Sequence, residues 1–254
     1  MVDESIIIYI PLIFFFVAFI FSMIGMGGAQ LYVPILFWLG MDLKTQAIPL
    51  AMLLNVVNSL SATIIYTSEK LVEWRMALPF ALAMILFPPL GTWVNIVLPM
   101  KPILIIFALF TIASAILMLS NWKPKRENFS SKDRYIIGFS GGSLLGFFTG
   151  LIGRGGGSFV TPLLYITGLE AKTAAATSAF TVTCSGISSF ISHIFTAAQP
   201  DWILWILCIL SVIIGSQVGS RFMSTKLDSK YVRKLFGVTL LGVALILIIQ
   251  TFLM

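Results

Sequence analysis

The chain has 254 residues, 58% of them hydrophobic and 10% charged, with a mean hydropathy of +1.01 and a formal net charge of +6. Such values lie outside the range of soluble domains and describe an all-α, polytopic membrane protein. The basic residues sit in loops between apolar runs without interleaved aromatics, so their charge points to orientation in a bilayer and not to nucleic acid.

Apolar runs of the length that crosses a hydrocarbon core begin at 5–24. This first run is preceded by Asp3 and Glu4, with no Lys or Arg and no small-residue cleavage site after it, so it reads as a retained helix and not a signal peptide. Gly25-Met26-Gly27-Gly28 then leads into a shorter run, 29–40. The run at 47–66 carries Asn55, Asn58, Ser59 and Ser61, the first three on one helical face. Runs at 76–98 and 102–120 follow, and then the polar stretch "NWKPKRENFSSKDR" (121–134). In the next run, 135–152, Gly138, Gly142, Gly146 and Gly150 recur every four residues, a spacing suited to close helix packing. Gly153-Arg154-Gly155-Gly156-Gly157 opens a second short run, 157–168. Beyond it, 175–195 carries Thr177, Ser178, Thr181, Thr183, Ser185, Ser188 and Ser189, with Ser178, Thr181 and Ser185 on one face, and runs at 202–223 and 231–253 complete the chain. Cys184 and Cys208 lie inside apolar runs, where a thiol acts as a small hydrophobe, and they make no disulfide framework. His193, the only histidine, is expected near the outer end of its span in an interfacial role.

A shift of 128 residues lays "GMGGAQLYVPILFWLGMDLKTQA" (25–47) over "GRGGGSFVTPLLYITGLEAKTAA" (153–175) without a gap. Gly25, Gly27, Gly28, Pro34, Leu36, Gly40, Lys44, Thr45 and Ala47 meet identical residues, and the same shift pairs Ala51 with Ala179, Ser61 with Ser189, Trp74 with Trp202 and Gly91 with Gly219. The chain is therefore a duplication. Its expected division is a first transmembrane repeat over 1–124, a cytoplasmic linker over 125–134 and a second repeat over 135–254.

The basic residues bear on whether the two short runs cross the membrane. If both cross, each repeat has five spans and the repeats are inverted. One side then holds Lys70, Arg75, the linker's Lys123, Lys125, Arg126, Lys132 and Arg134, then Lys172, Arg221, Lys226, Lys230, Arg233 and Lys234, thirteen in all, against three on the other, Lys44, Lys101 and Arg154. If neither crosses, the sixteen divide nine to seven. The positive-inside tendency favours ten spans with both termini outside.

A helix of about twelve residues covers ~18 Å, little more than half the hydrocarbon thickness, so each short helix must start deep in the membrane. Its start is the glycine motif, and irregular backbone at that depth is tolerated only where protein buries it or it lines a cavity. Inverted motifs would meet near a pseudo-twofold axis, where secondary transporters often hold their substrate. Helix-start N–H groups with glycine beside them suit an anion. Arg154 could grip a sulfonate, sulfite, phosphate or carboxylate through two parallel hydrogen bonds, whereas Met26 stands at the equivalent place in the first repeat. The expected substrate-binding set is Gly25, Gly27, Gly28, Gly153, Arg154, Gly155, Gly156 and Gly157, with Asn55, Asn58, Ser178 and Thr181 along a pathway. The competing readings are glycines that only pack helices, hydroxyls that only bond between helices, and an Arg154 that is a solvated loop charge.

No carboxylate lies in the middle of a span: Asp42 and Glu170 take matched turns after the short runs, and Glu73 and Asp201 precede the matched tryptophans. Proton pumps usually carry such an acid. Metal-binding clusters, a phosphate-binding loop and a nucleophile elbow are not found either, so neither an enzyme nor a cofactor or metal site is expected.

The glycine motif leading into "FVTP", the matched "GLEAKTAAATSA" (168–179) and the twofold repeat resemble the sulfite exporter TauE/SafE family of membrane permeases over essentially the whole chain. The resemblance implies transport of sulfur-containing anions, such as sulfite or organosulfonates, across a prokaryotic cytoplasmic membrane, commonly as export. The first repeat departs from the second in having "AIPLAM" (47–52) where "AATSAF" (175–180) stands, which argues against two equivalent sites. The expected partners are the lipid bilayer and a small anion. The alternative is a non-transport assembly or sensor subunit.

Overall fold

The computed structural model describes residues 4–97, 100–120, 131–152, 157–195 and 197–253, all of them helix or connecting turn. In chain order the helices are α1 (Glu4–Met23), α2 (Ala29–Trp38), α3 (Ile48–Ser68), α4 (Trp74–Leu86), α5 (Pro88–Val97), α6 (Met100–Leu119), α7 (Ser131–Ile152), α8 (Gly157–Ile166), α9 (Ala171–Ile194), α10 (Trp202–Lys226) and α11 (Ser229–Leu253). A π-helical turn, Leu43–Ala47, leads into α3. Five helical segments, Leu43–Ser68, Trp74–Val94, Ala171–Ile194, Trp202–Lys226 and Ser229–Ile249, are each long and apolar enough to cross a membrane.

Local chemistry accounts for the boundaries, including those that differ from expectation. The run expected as one span over 76–98 is two helices, because Pro88 and Pro89 have no N–H with which to carry the hydrogen-bond ladder past Phe87. Both short helices stop two residues early, at Trp38 and Ile166. Shortly beyond each stands a glycine in the left-handed region, Gly40 (φ 86°) and Gly168 (φ 89°), which ends a helix without steric cost. Asp42 takes the N-cap position of the turn before α3, accepting from Thr45 N–H at 2.8 Å, and Asp201 caps α10 through the N–H groups of Ile203 and Leu204.

Glycines set the closest helix pairs. Along α7, Gly138 lies against Pro79, Gly142 against the Phe80 carbonyl, Gly146 against Met84 and Gly150 against the Pro88 carbonyl, so α7 runs beside α4 and α5 in the same direction. Along α10, Gly215 meets the Phe15 carbonyl and Gly219 that of Phe19, so α10 likewise runs with α1. The 128-residue shift carries the first pairing into the second. The other contacts are matched too: α3 packs on α9 and α6 on α11, while α9 flanks α4 as α3 flanks α10. Near the ends of α1 and α3, Tyr66 donates to the Ser22 carbonyl at 2.6 Å.

The connecting segments gather into two groups. Ala198 N–H bonds the Thr45 carbonyl at 2.9 Å, joining the turn before α3 to the segment before α10. In the other group, Glu73 N–H bonds Thr177 Oγ1 at 3.0 Å and Lys172 Nζ bonds the Ser224 carbonyl at 2.6 Å. The larger of two apolar clusters draws on both halves of the chain, from Phe14, Met26, Tyr32 and Leu36 to Phe159, Leu164 and Val182, and a smaller one joins Tyr66, Ala77, Ala176, Met223 and Val232. Large apolar side chains such as Leu109, Ile206 and Leu245 face outward, which hydrocarbon solvates without penalty.

Candidate functional site

The loop before α2 is built on left-handed glycines. Gly25, Gly27 and Gly28 have φ of 69°, 83° and 101°, a region where a Cβ clashes with the following carbonyl. The surroundings exclude a side chain as well: a Cβ on Gly25 would strike the Ala175 carbonyl, and one on Gly27 would strike Asn55 Oδ1. Polar side chains of α3 and α9 hold this loop. Asn55 Oδ1 accepts from Ala29 N–H, the first of α2, at 3.2 Å, Asn58 Nδ2 donates to the Gly27 carbonyl at 2.7 Å, and Ser178 Oγ donates to the Gly25 carbonyl at 2.9 Å. The start of α2 is thus capped from outside its own segment, by a residue 26 positions away.

The start of α8 lies against the same loop. A Cβ on Gly157 would overlap the backbone of Met26, and Thr161 Oγ1 lies 3.4 Å from the Ile24 carbonyl. Gln30 Nε2, on the first turn of α2, donates to Ser158 Oγ on the first turn of α8. These two residues are separated by the repeat interval of 128, so equivalent positions of the two repeats touch one another. Of the expected site residues, the fold therefore gathers Gly25, Gly27, Gly28, Asn55, Asn58, Gly157 and Ser178 around the crossing of the two short-helix starts. Thr181 is also buried, with its hydroxyl bonded to the Ser178 carbonyl of its own helix. Gly153, Arg154, Gly155 and Gly156 lie outside the described residues, as does the linker over 121–130.

Sequence reasoning passed over Gln30, Tyr32 and Ser158. Their signal was available in the repeat itself, since Gln30 and Ser158 are the polar pair immediately inside the two matched motifs. Tyr32 packs its ring on Phe14, with centroids 4.7 Å apart, and sets its hydroxyl beside the Asn58 side chain. Gln30, Tyr32, Asn55, Asn58, Ser158 and Ser178 are all 0% exposed. Among the described residues, Arg233 is the one Lys, Arg, Asp or Glu side chain in the buried set, and it donates to the Tyr165 hydroxyl at the far end of α8. Among the described residues, the shell around the glycine loop is therefore polar and neutral, a set of directed donors and acceptors in a low-dielectric interior. There each hydrogen bond counts for more than it would in water.

His193 lies in the last turn of α9, the end of its span where it was expected, and is packed inside the protein. It is 5% exposed, with Nε2 3.5 Å from Thr92 Oγ1, and Thr92 lies 3.4 Å from the Gly150 carbonyl, so three helices meet at this residue. No group of three or more metal-ligating side chains occurs among the described residues.

Comparison with known proteins identifies the family. The family model for the sulfite exporter TauE/SafE matches residues 10–247. A Bacillus subtilis protein named "Probable membrane transporter protein YunE" is 25% identical over 233 residues, covering 81% of this chain and 85% of its own. The "Probable membrane transporter protein y4hK" of Sinorhizobium fredii is 25% identical, covering 90% of this chain and 92% of its own. An archaeal relative, "Probable membrane transporter protein MJ0441" of Methanocaldococcus jannaschii, is 24% identical over 90% of each chain. No solved structure matches. With all but the ends of the chain matched, this protein belongs to the sulfite exporter TauE/SafE family of membrane transporters.

Proposed function

We propose that the protein is a secondary transporter or facilitator that carries a small sulfur-containing anion, sulfite or an organosulfonate, out of the cell. On this reading, two inverted repeats of five spans expose a midplane site alternately to each side. The observation that carries the reading is the contact of Gln30 with Ser158, which supports a shared site at the axis where two broken-helix starts converge. The matched directions of α7 with α4 and of α10 with α1 support inversion. Because α1 and α3 end on the same side, at Ser22 and Tyr66, the chain must return between them, and α2 is the segment available to bring it back. This return supports a ten-span topology, which with the division of basic residues favours both termini outside and the basic linker in the cytoplasm of a prokaryotic cell.

Substrate recognition is assigned to Gly25, Gly27, Gly28, Asn55, Asn58, Ser178 and Thr181 in this shell. Arg154, with Gly153, Gly155, Gly156 and Gly157, adds a charged grip from the second repeat. The substrate class comes from the family and from helix-start chemistry, which favours anions.

Reconstitution tests the proposal. Proteoliposomes should take up labelled sulfite or an organosulfonate faster than protein-free vesicles, and a pH gradient should alter the rate if protons couple to the anion. Uptake no faster than in protein-free vesicles across a panel of sulfite, sulfonates, phosphate and carboxylates would overturn it.

A further inference from the structure

The second repeat carries a groove of about 540 Å³ between α6, α7 and α8, open along one side. One end lies at Leu117, Ser140 and Ile166, nearest the connection from α6 to α7, and the other at Ala113, Leu145 and Phe159. From Phe159 to Ile166 this is seven residues of α8, ~10 Å. None of the described lining residues is charged, and the Ser140 hydroxyl is already spent on the Ile136 carbonyl of its own helix at 2.7 Å. Small residues keep the groove open on the α7 side. The 128-residue shift places Leu12, Ile13 and Phe16 in the first repeat where Ser140, Gly141 and Leu144 stand in the second, so the matched positions carry bulk. A charge seated in such a groove would lose its water without gaining a partner, whereas a hydrocarbon chain loses nothing.

A cation stands in line with this groove. Lys132, in the first turn of α7, is exposed, and four-residue steps carry the same ridge through Ile136 to Ser140 and Leu144, all exposed. Asp133 is off the ridge, since one position on is about 100° round the helix. We propose that the groove seats one acyl chain of an anionic phospholipid whose phosphate is held at Lys132. Eight residues separate Lys132 from Ser140, ~12 Å along the helix, which the lysine stem and the lipid's glycerol backbone and first methylenes cover between them. The connection from α6 to α7 adds Lys123, Lys125 and Arg126 by sequence, and basic clusters that flank membrane helices draw anionic lipid. The seated chain rests on Phe159 and Pro162 of α8, the short helix whose first turn meets α2 through Ser158 and Gln30. The inference does not depend on which substrate the protein carries.

Native mass spectrometry of the purified full-length chain tests this with dioleoyl phosphatidylglycerol and dioleoyl phosphatidylcholine, which share their chains and differ in head charge. The first phosphatidylglycerol should bind about fivefold tighter or more, the ratio that one lysine near an anionic surface supplies. Lys132→Gln should cut that ratio about fivefold. Ser140→Leu, which copies Leu12 of the first repeat, should weaken the first binding of both lipids about fourfold or more, what one methylene displaced from the groove is worth. Should Ser140→Leu fail to fold, Ala113→Leu fills the groove from the α6 side, where Ala113 is exposed. Equal binding of the two lipids by the wild type, an unchanged ratio in Lys132→Gln, or unchanged binding in the groove-filling variant would each overturn the inference. A lipid-free dimer that Ser140→Leu dissociates would also overturn it, by giving the groove to a second copy of the chain.

Discussion

Replacing Gly27 with alanine should destabilise the protein more than the same change at Gly40, although both glycines are left-handed, at φ 83° and 86°. The backbone term is common to the two and amounts to about 1–2 kcal/mol for an L-residue held in this region. Gly40 has no neighbour within 4 Å of a built Cβ, so the backbone term is all it should lose. At Gly27 the new methyl meets Asn55 Oδ1 and lies 3.0 Å from Val182 Cγ1. Asn55 must then swing away and give up Ala29 N–H, leaving a buried donor unpaired at a further cost of about 1–3 kcal/mol. The sum for Gly27→Ala is about 2–5 kcal/mol. Thermal unfolding of the purified variants in one detergent, read by the loss of the monodisperse peak, ranks them directly. Adding Asn55→Ala removes the clashing group, so the double variant should lose less than the sum of the two single losses. Equal destabilisation by Gly27→Ala and Gly40→Ala, or strict additivity with Asn55→Ala, would refute the idea that Asn55 clamps this loop.

Cysteines placed at Ser130 and Gln199 should label from opposite sides of intact cells, with Ser130 protected and Gln199 accessible; labelling from one side defeats the ten-span topology. Gly146→Leu should lower folded yield, because a Cβ there already sits 3.2 Å from Met84 Cα, whereas Gly155→Ala should fold and bind anion more weakly; equal loss of fold would favour packing throughout. Arg154→Met should weaken anion affinity by about 1.5–3 kcal/mol with the fold intact, and Arg154→Lys should discriminate less between tetrahedral and planar anions; unchanged transport by Arg154→Met would make Arg154 a loop charge. Hydrogen bonds from the Thr45 hydroxyl and N–H hold the exposed Asp42 carboxyl below the usual aspartate range. A lowered folded-state pKa means the cap contributes fully above the unfolded value and is lost as the pH falls through the lowered one. The protection of the amides over 43–47, relative to the intrinsic exchange rate at each pH, should therefore fall in acid, and it should do so at higher pH in Thr45→Val.

Much of the architecture was legible in the chain because membrane insertion writes itself into composition and length. Apolar runs mark the helices, the 128-residue identity marks the duplication, and glycine before each short run marks a helix that starts in the interior. Periodicity correctly put Asn55, Asn58 and Ser59 on one face, and all three are buried. What a periodicity cannot name is the partner on the other side of that face. Only the tertiary structure brought Gln30 to Ser158, set Asn55 on the α2 cap 26 residues away, and buried His193 against Thr92. Hydropathy likewise ran straight across the break at Phe87, because a Pro-Pro step interrupts the ladder without changing the apolar count. Composition and run length were enough to mark which segments must leave water and where a glycine motif opens each short helix. The meeting of the two short-helix starts, and the choice of polar atoms that meet there, came from helix packing, a relation between distant segments that no local pattern contains.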